Sequence, residues 1–119
     1  MFAKKFSIPK SEFTKIKKNP ILFHSSTFSV LLRIREDLGN PRFAVVISNK
    51  VSKLSTHRNR IRRAVRDALR RNWKKVNNDL DMVFLIKPGV EKKPVTDIMK
   101  EIEVFLNKKE YETKIGKFK

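Results

Sequence analysis

Residues 27–48 read TFSVLLRIREDLGNPRFAVVIS, and their alternation decides the fold. Side chains alternate across a strand, so Phe28, Val30, Leu32 and Ile34 share one face of residues 27–35. Ser29, Leu31, Arg33 and Arg35 share the other. Residues 36–41 hold Gly39, Asn40 and Pro41 in a row, which is turn chemistry. Residues 42–48 alternate again, with Phe43, Val45 and Ile47 on one side and Ala44, Val46 and Ser48 on the other. The reading is two strands closing a hairpin. One face is large and apolar and must be covered by helix. The other is smaller and mixed, and suits a shallow groove.

The cover lies downstream. From Arg58 or Asn59, residues Ile61, Val65, Ala68, Leu69, Trp73 and Val76 recur in steps of three and four, making one apolar stripe on a helix. Residues 50–57 precede it as a polar connector, and Asn77-Asn78-Asp79 ends it. Residues 81–87, DMVFLIK, are apolar on both faces, which suits an interior strand covered on both sides. Lys87-Pro88-Gly89 turns the chain into a last helix over residues 94–106.

Upstream, Ser11 is a good N-cap for a short helix in which Phe13 and Ile16 share a face, and Pro20 stops it. The expected order is α-β-β-α-β-α. The expected class is α+β, a small sandwich of a mixed β-sheet with helices in a single domain over residues 1–119. Residues 1–9 are expected as a mobile arm. Residues 107–119 are expected as a frayed tail with Tyr111 and Phe118 isolated.

Charge is the strongest compositional signal. The 119 residues carry 29 Lys and Arg against 12 Asp and Glu, a formal net charge of +17. Such a field draws polyanions, nucleic acid first among them. The chain has no Cys, which excludes disulfides, thiolate catalysis and Cys-based zinc. His24 and His57 are the only imidazoles, and the acids are scattered. No metal site, no catalytic residue and no stand-alone nuclease are therefore expected. With no signal-like or membrane-spanning run, a cytoplasmic protein is expected.

Residues 50–75 hold eleven Lys or Arg and one acid, Asp67. Arg58/Arg62, Arg62/Arg66 and Arg66/Arg70 are like-charged pairs at i,i+4, each costing a helix ~0.2–0.5 kcal/mol. Cations near a helix N-terminus also oppose the macrodipole. A helix shaped for stability alone would mix its charges. This one calls for a bound polyanion, and the guanidinium fork matches phosphate oxygens. The apolar stripe faces a sheet, which argues against a membrane-surface helix.

The run Arg58-Asn59-Arg60, followed by Ile61-Arg62-Arg63 and Arg66, resembles the arginine-rich signature of the bacterial ribonuclease P protein component. Residues 42–51, RFAVVISNKV, are similar to the family's strand leading into a lysine pair. Glu12-Phe13 resembles the acidic-aromatic pair of its first helix, and residues 81–88 its Asp-headed apolar strand ending in a basic residue and Pro. The resemblance spans about residues 6–106.

It implies a left-handed helix crossover and a protein subunit that assists a catalytic RNA in removing the 5′ leader from precursor tRNA. The protein alone would be inactive. It would bind no cofactor tightly, while the holoenzyme requires magnesium. The implied partners are the RNA subunit and the precursor tRNA, with no membrane and no protein partner. Arg58, Asn59, Arg60, Arg62, Arg63 and Arg66 would contact RNA, with Lys50, Lys53 and Arg70 adding basic contacts. Phe13, Lys17, Leu31, Val46 and Ser48 would line a leader cleft. Lys17 and Leu31 stand where the family often has aromatics, so stacking is expected to be weaker there and electrostatics stronger. The alternative is a general RNA-binding or chaperone-type basic protein with no defined leader cleft.

Overall fold

The computed structural model describes residues 6–18, 20–36, 39–109 and 111. The elements run α1 (Lys10–Lys18), β1 (Ile21–His24), β2 (Phe28–Ile34), β3 (Arg42–Val46), α2 (Ser55–Asn72), β4 (Leu80–Ile86) and α3 (Val95–Lys108). Short 3₁₀ turns cover Trp73–Lys75 and Val90–Lys92. The observed order is thus α-β-β-β-α-β-α, an α+β fold with a four-stranded mixed sheet.

The sheet order is β1-β2-β4-β3. β2 pairs antiparallel with β1 on one side and β4 on the other, and β3 pairs parallel with β4. The expected hairpin between residues 27–35 and 42–48 is therefore corrected, because β4 lies between its two strands. The physical reason is visible in β4. Leu80, Asp81, Met82, Val83, Phe84 and Ile86 are all buried. A strand that apolar belongs inside a sheet with a hydrogen-bonded neighbour on each edge. A β2–β3 hairpin would have pushed it to the rim.

Register lines up the two faces. Ile21, Leu32, Met82 and Phe43 form one row, and Phe23, Val30, Phe84 and Val45 the next. This large face carries the main core, into which α2 places Ile61, Ala64, Val65, Ala68 and Leu69 and α3 places Ile98, Ile102, Phe105 and Leu106. The opposite face carries a smaller cluster of Ile8, Ile16 and Val83, with Phe13, Leu31, Ala44 and Leu85 against it. The layers are α2 and α3, sheet, then α1.

Five further expectations are corrected. The expected order has no strand before residue 27, yet β1 is an edge strand whose Ile21 is buried and Leu22 exposed. α2 starts at Ser55, three residues early, and ends at Asn72, so Trp73 sits in a 3₁₀ turn. The helix near Ser11 begins at Lys10, so Ser11 lies inside it. Residues 6–8 are not a free arm. Phe6 packs on Trp73 with ring centroids 4.6 Å apart, Ser7 bridges to Phe43 on the open edge of β3, and Ile8 is buried. At the other end α3 continues to Lys108, and Tyr111 is fully buried with its ring 5.1 Å from Phe105. It anchors the chain where isolation was expected. Residues 1–5, Asp37, Leu38 and Phe118 lie outside the described residues.

Candidate nucleic-acid interface

The small face of the sheet is built in three rows. Arg33, Asp81 and Arg42 form the first. Leu22, Leu31, Val83 and Ala44 form the second, and His24, Ser29, Leu85 and Val46 the third. The first row is a charge cluster. Asp81, with no exposed side-chain area, accepts from Arg35 Nη1 at 2.6 Å and from Arg42 Nε and Nη2 at 2.8 Å each. Arg35 also donates to the carbonyls of Asn40 and Asn78. Arg42 Nη1 reaches Glu12 on α1 at 2.7 Å, and Arg33 reaches the other Glu12 oxygen at 3.4 Å. The cluster clamps the start of α1 onto the sheet. Nothing in the local pattern separated these arginines from the RNA-binding excess, although an Asp heading an apolar strand is a signal that it needs buried cations.

The hydrogen bond from Arg42, joined by the charges of Arg42 and Arg33, holds the Glu12 carboxyl below its ordinary value of 4.5. A depressed carboxyl contributes stability above its unfolded value, and that contribution drains away as pH falls through the lower folded value. Denaturant titrations at pH 6 and pH 3 will therefore show a larger loss for the wild-type chain than for Glu12→Gln. Equal losses would mean the clamp carries no pH-dependent stability.

The second row lies under α1, where Phe13 is half-buried on the Ile8–Ile16–Val83 cluster beside Leu31. Phe13 is thus partly spent on packing. Lys17 is exposed on the same helix, and Val46 and Ser48 are exposed at the end of β3. His24 Nδ1 and Ser29 Oγ pair at 2.9 Å across the third row. Of the five cleft residues, Phe13, Leu31 and Val46 thus lie on this side of the sheet, while Lys17 and Ser48 are exposed on α1 and the connector; in the third row His24 and Val46 are exposed, Leu85 is half-buried and Ser29 buried. His24 and Leu22 join this surface unforeseen, because β1 had not been recognised.

β3 runs from the charge cluster toward the third row, and an eight-residue connector, residues 47–54, leads from there to α2. Lys50 and Lys53 are exposed on it. Arg58 Nη1 donates to the Ser52 carbonyl at 2.7 Å, which ties that arginine to the connector. Arg62 Nη1 donates to Asn59 Oδ1 at 3.0 Å. Asn59, Arg62, Arg63 and Arg66 line a hollow of about 350 Å³. Burial, and then the charge of Arg62, lowers the Arg66 pKa from its ordinary value. Arg60 lines a neighbouring hollow on the α3 side, and Arg70 is held by Asp67 at 3.0 Å.

The early start of α2 alters one argument. Arg58 closes the first turn and Arg60 lies past it, where the macrodipole effect fades, so the dipole adds little to the strain. The i,i+4 repulsion of Arg58, Arg62, Arg66 and Arg70 remains. Among the described residues no three of His, Asp and Glu come together as a metal-binding group, and no helix is long and apolar enough to cross a membrane.

The family described as Ribonuclease P matches residues 4–110. The chain is 36% identical over 91 residues to the ribonuclease P protein component of Synechococcus elongatus, covering 71% of this chain and 75% of that one. It is 31% identical over 80 residues to that of Idiomarina loihiensis, covering 67% and 63%. Its fold is similar to the RNase P protein of Thermotoga maritima, with a TM-score of 0.75 at 21% identity over 87% of this chain and 97% of that one. The RNase P protein of Staphylococcus aureus gives 0.79 at 18% identity over 90% and 97%. At such identities these structures speak for the fold.

Proposed function

Because this chain belongs to the ribonuclease P protein family, with a role in tRNA processing alongside the RNA subunit, we propose that it grips two RNA elements at one end of its sheet. The arginine-rich start of α2 holds the RNA subunit through Asn59, Arg62, Arg63 and Arg66, with Arg58 and Arg60 beside them. The third row and α1 hold the single-stranded 5′ leader of precursor tRNA. The observation that supports this is the shared end: β3 brings Val46 into the third row, and the connector that follows, on which Ser48 is exposed, leads into the arginine helix.

In this reading the RNA subunit performs the hydrolysis. Magnesium would belong to the holoenzyme; the two acids on this face of the sheet, Glu12 and Asp81, do not fit it, since both are bound by arginines. The protein places the leader. Half-buried Phe13, beside Leu31, gives a leader base a ring to stack on, and Lys17, Lys50 and Lys53 attract the leader phosphates. Such stacking is sequence-tolerant and worth ~1–3 kcal/mol per base.

The test is cleavage of a precursor tRNA by a cognate ribonuclease P RNA at low magnesium, with and without this protein. Rescue at the leader junction, with no cleavage by the protein alone, is the expected result. Tight RNA binding without rescue would favour a general RNA-binding protein. Phe13→Ala is expected to weaken binding of precursor tRNA by roughly 5- to 100-fold, from that stacking range. Affinity for mature tRNA is expected to stay as it was. An equal loss on both would assign Phe13 to packing alone.

A further inference from the structure

The seam between α2 and α3 opens to the outside as a furrow on the flank of α2 away from Arg62. Two hollows lie along it, of about 390 and 580 Å³. Its floor is cut deep because α2 presents Ala64 and Ala68 there, with Val95 and Met99 opposite. Arg60 and Arg71 stand eleven residues apart on α2, three turns, and Arg63 neighbours Arg60 at i,i+3, so the three line one wall. Lys100 and Lys108 form the other on α3. All five are exposed, and none makes a hydrogen bond or ion pair among the described residues. Of the two acids on the lining, Asp67 is held by Arg70, which leaves Glu103 alone against five cations.

We infer that this furrow is a second RNA track, seating the sugar-phosphate backbone of a helical segment of the RNA subunit. The inference rests on the proposed binding of that subunit by α2 and extends it to α3. An apolar floor fits ribose faces, while cationic walls fit the phosphates on either side. Arg63 and Asn59 line both this furrow and the hollow of Arg62 and Arg66, so one helix is wedged between two backbone tracks. That arrangement accounts for arginine on both flanks of α2, where a single track would need only one.

The test uses the full chain carrying Arg71→Gln, Lys100→Gln and Lys108→Gln together. The three are exposed and outside the hollow and the leader cleft, so the variant is expected to melt as the wild type does. Its affinity for the cognate RNA subunit is measured across a salt series. Counterion release predicts a log–log slope shallower by about 2–3, at roughly 0.7–0.9 per lost phosphate contact, and an affinity lower by roughly tenfold or more at physiological salt. The ratio of precursor to mature tRNA affinity is expected to stay at the wild-type value. A wild-type slope in the variant, with wild-type binding intact, overturns the second track, including the case where the furrow instead takes an acidic protein. Failure of the wild-type chain itself to bind the RNA subunit overturns both this inference and the reading beneath it.

Discussion

Asp81→Ala is expected to destabilise the fold by about 3–5 kcal/mol, the cost of leaving buried charge without its partner. Asp81 is fully buried, and Arg35 beside it has 3% of its side chain exposed. Removing the carboxylate strands Arg35 and Arg42 in the sheet with three strong donors unmatched. Against a total stability of about 5–15 kcal/mol, that is a large share. The urea midpoint should fall by at least about 1 M, given slopes of about 1–3 kcal/mol per molar. Exchanging the set together, as Arg35→Met, Asp81→Leu and Arg42→Met, is expected to recover much of the loss. A midpoint shift under about 0.3 M for Asp81→Ala would show that the cluster does not fasten the sheet.

Arg62→Ala with Arg66→Ala is expected to lower affinity for the RNA subunit at least about 100-fold. Hydrogen bonds to charged groups contribute roughly 1.5–3 kcal/mol each, and 1.4 kcal/mol is a factor of ten. The salt slope should become shallower by about 1.4–1.8 for two phosphates. Arg66 already bears the cost of burial beside Arg62, so a phosphate in the hollow relieves a strain present in the free protein. Arg70→Ala is the contrast. Its guanidinium is occupied by Asp67 on the surface, and its loss should change affinity less than threefold, about 0.6 kcal/mol. An unchanged slope in the double variant would remove direct phosphate contact from the hollow.

The parts of the fold legible in the sequence were those governed by local period. The alternation of residues 28–34, the stripe of α2 and the two-sided apolar run of β4 each follow from neighbours a few residues apart. Pairing was not legible, because β2 and β3 look like a hairpin locally and are separated only by a strand forty residues later. β1 is four residues long, too short to show a period against the Pro20 that precedes it. The arginine-rich run is evident as a charge anomaly, and the roles proposed for its residues come from the family resemblance. Arg33, Arg35 and Arg42 were indistinguishable from surface cations until Asp81 and Glu12 were seen among them. Tyr111 was hidden in a Lys-rich stretch whose composition says nothing of the aromatic pocket beside Phe105.

The position of β4 between β2 and β3 also sets a timetable on the ribosome. β3 is complete at Val46, yet β4, the strand it pairs with along its length, ends at Ile86, forty residues on. At about 5–20 residues per second, roughly 2–8 s pass before that partner exists. During the interval the apolar face of β2 has only the short β1 beside it, and α2 emerges with its cations before it has a sheet to lie on. Non-local pairing of this kind makes folding slow relative to a helical bundle. The nascent chain thus spends seconds as an open polycation whose sheet still lacks its central strand.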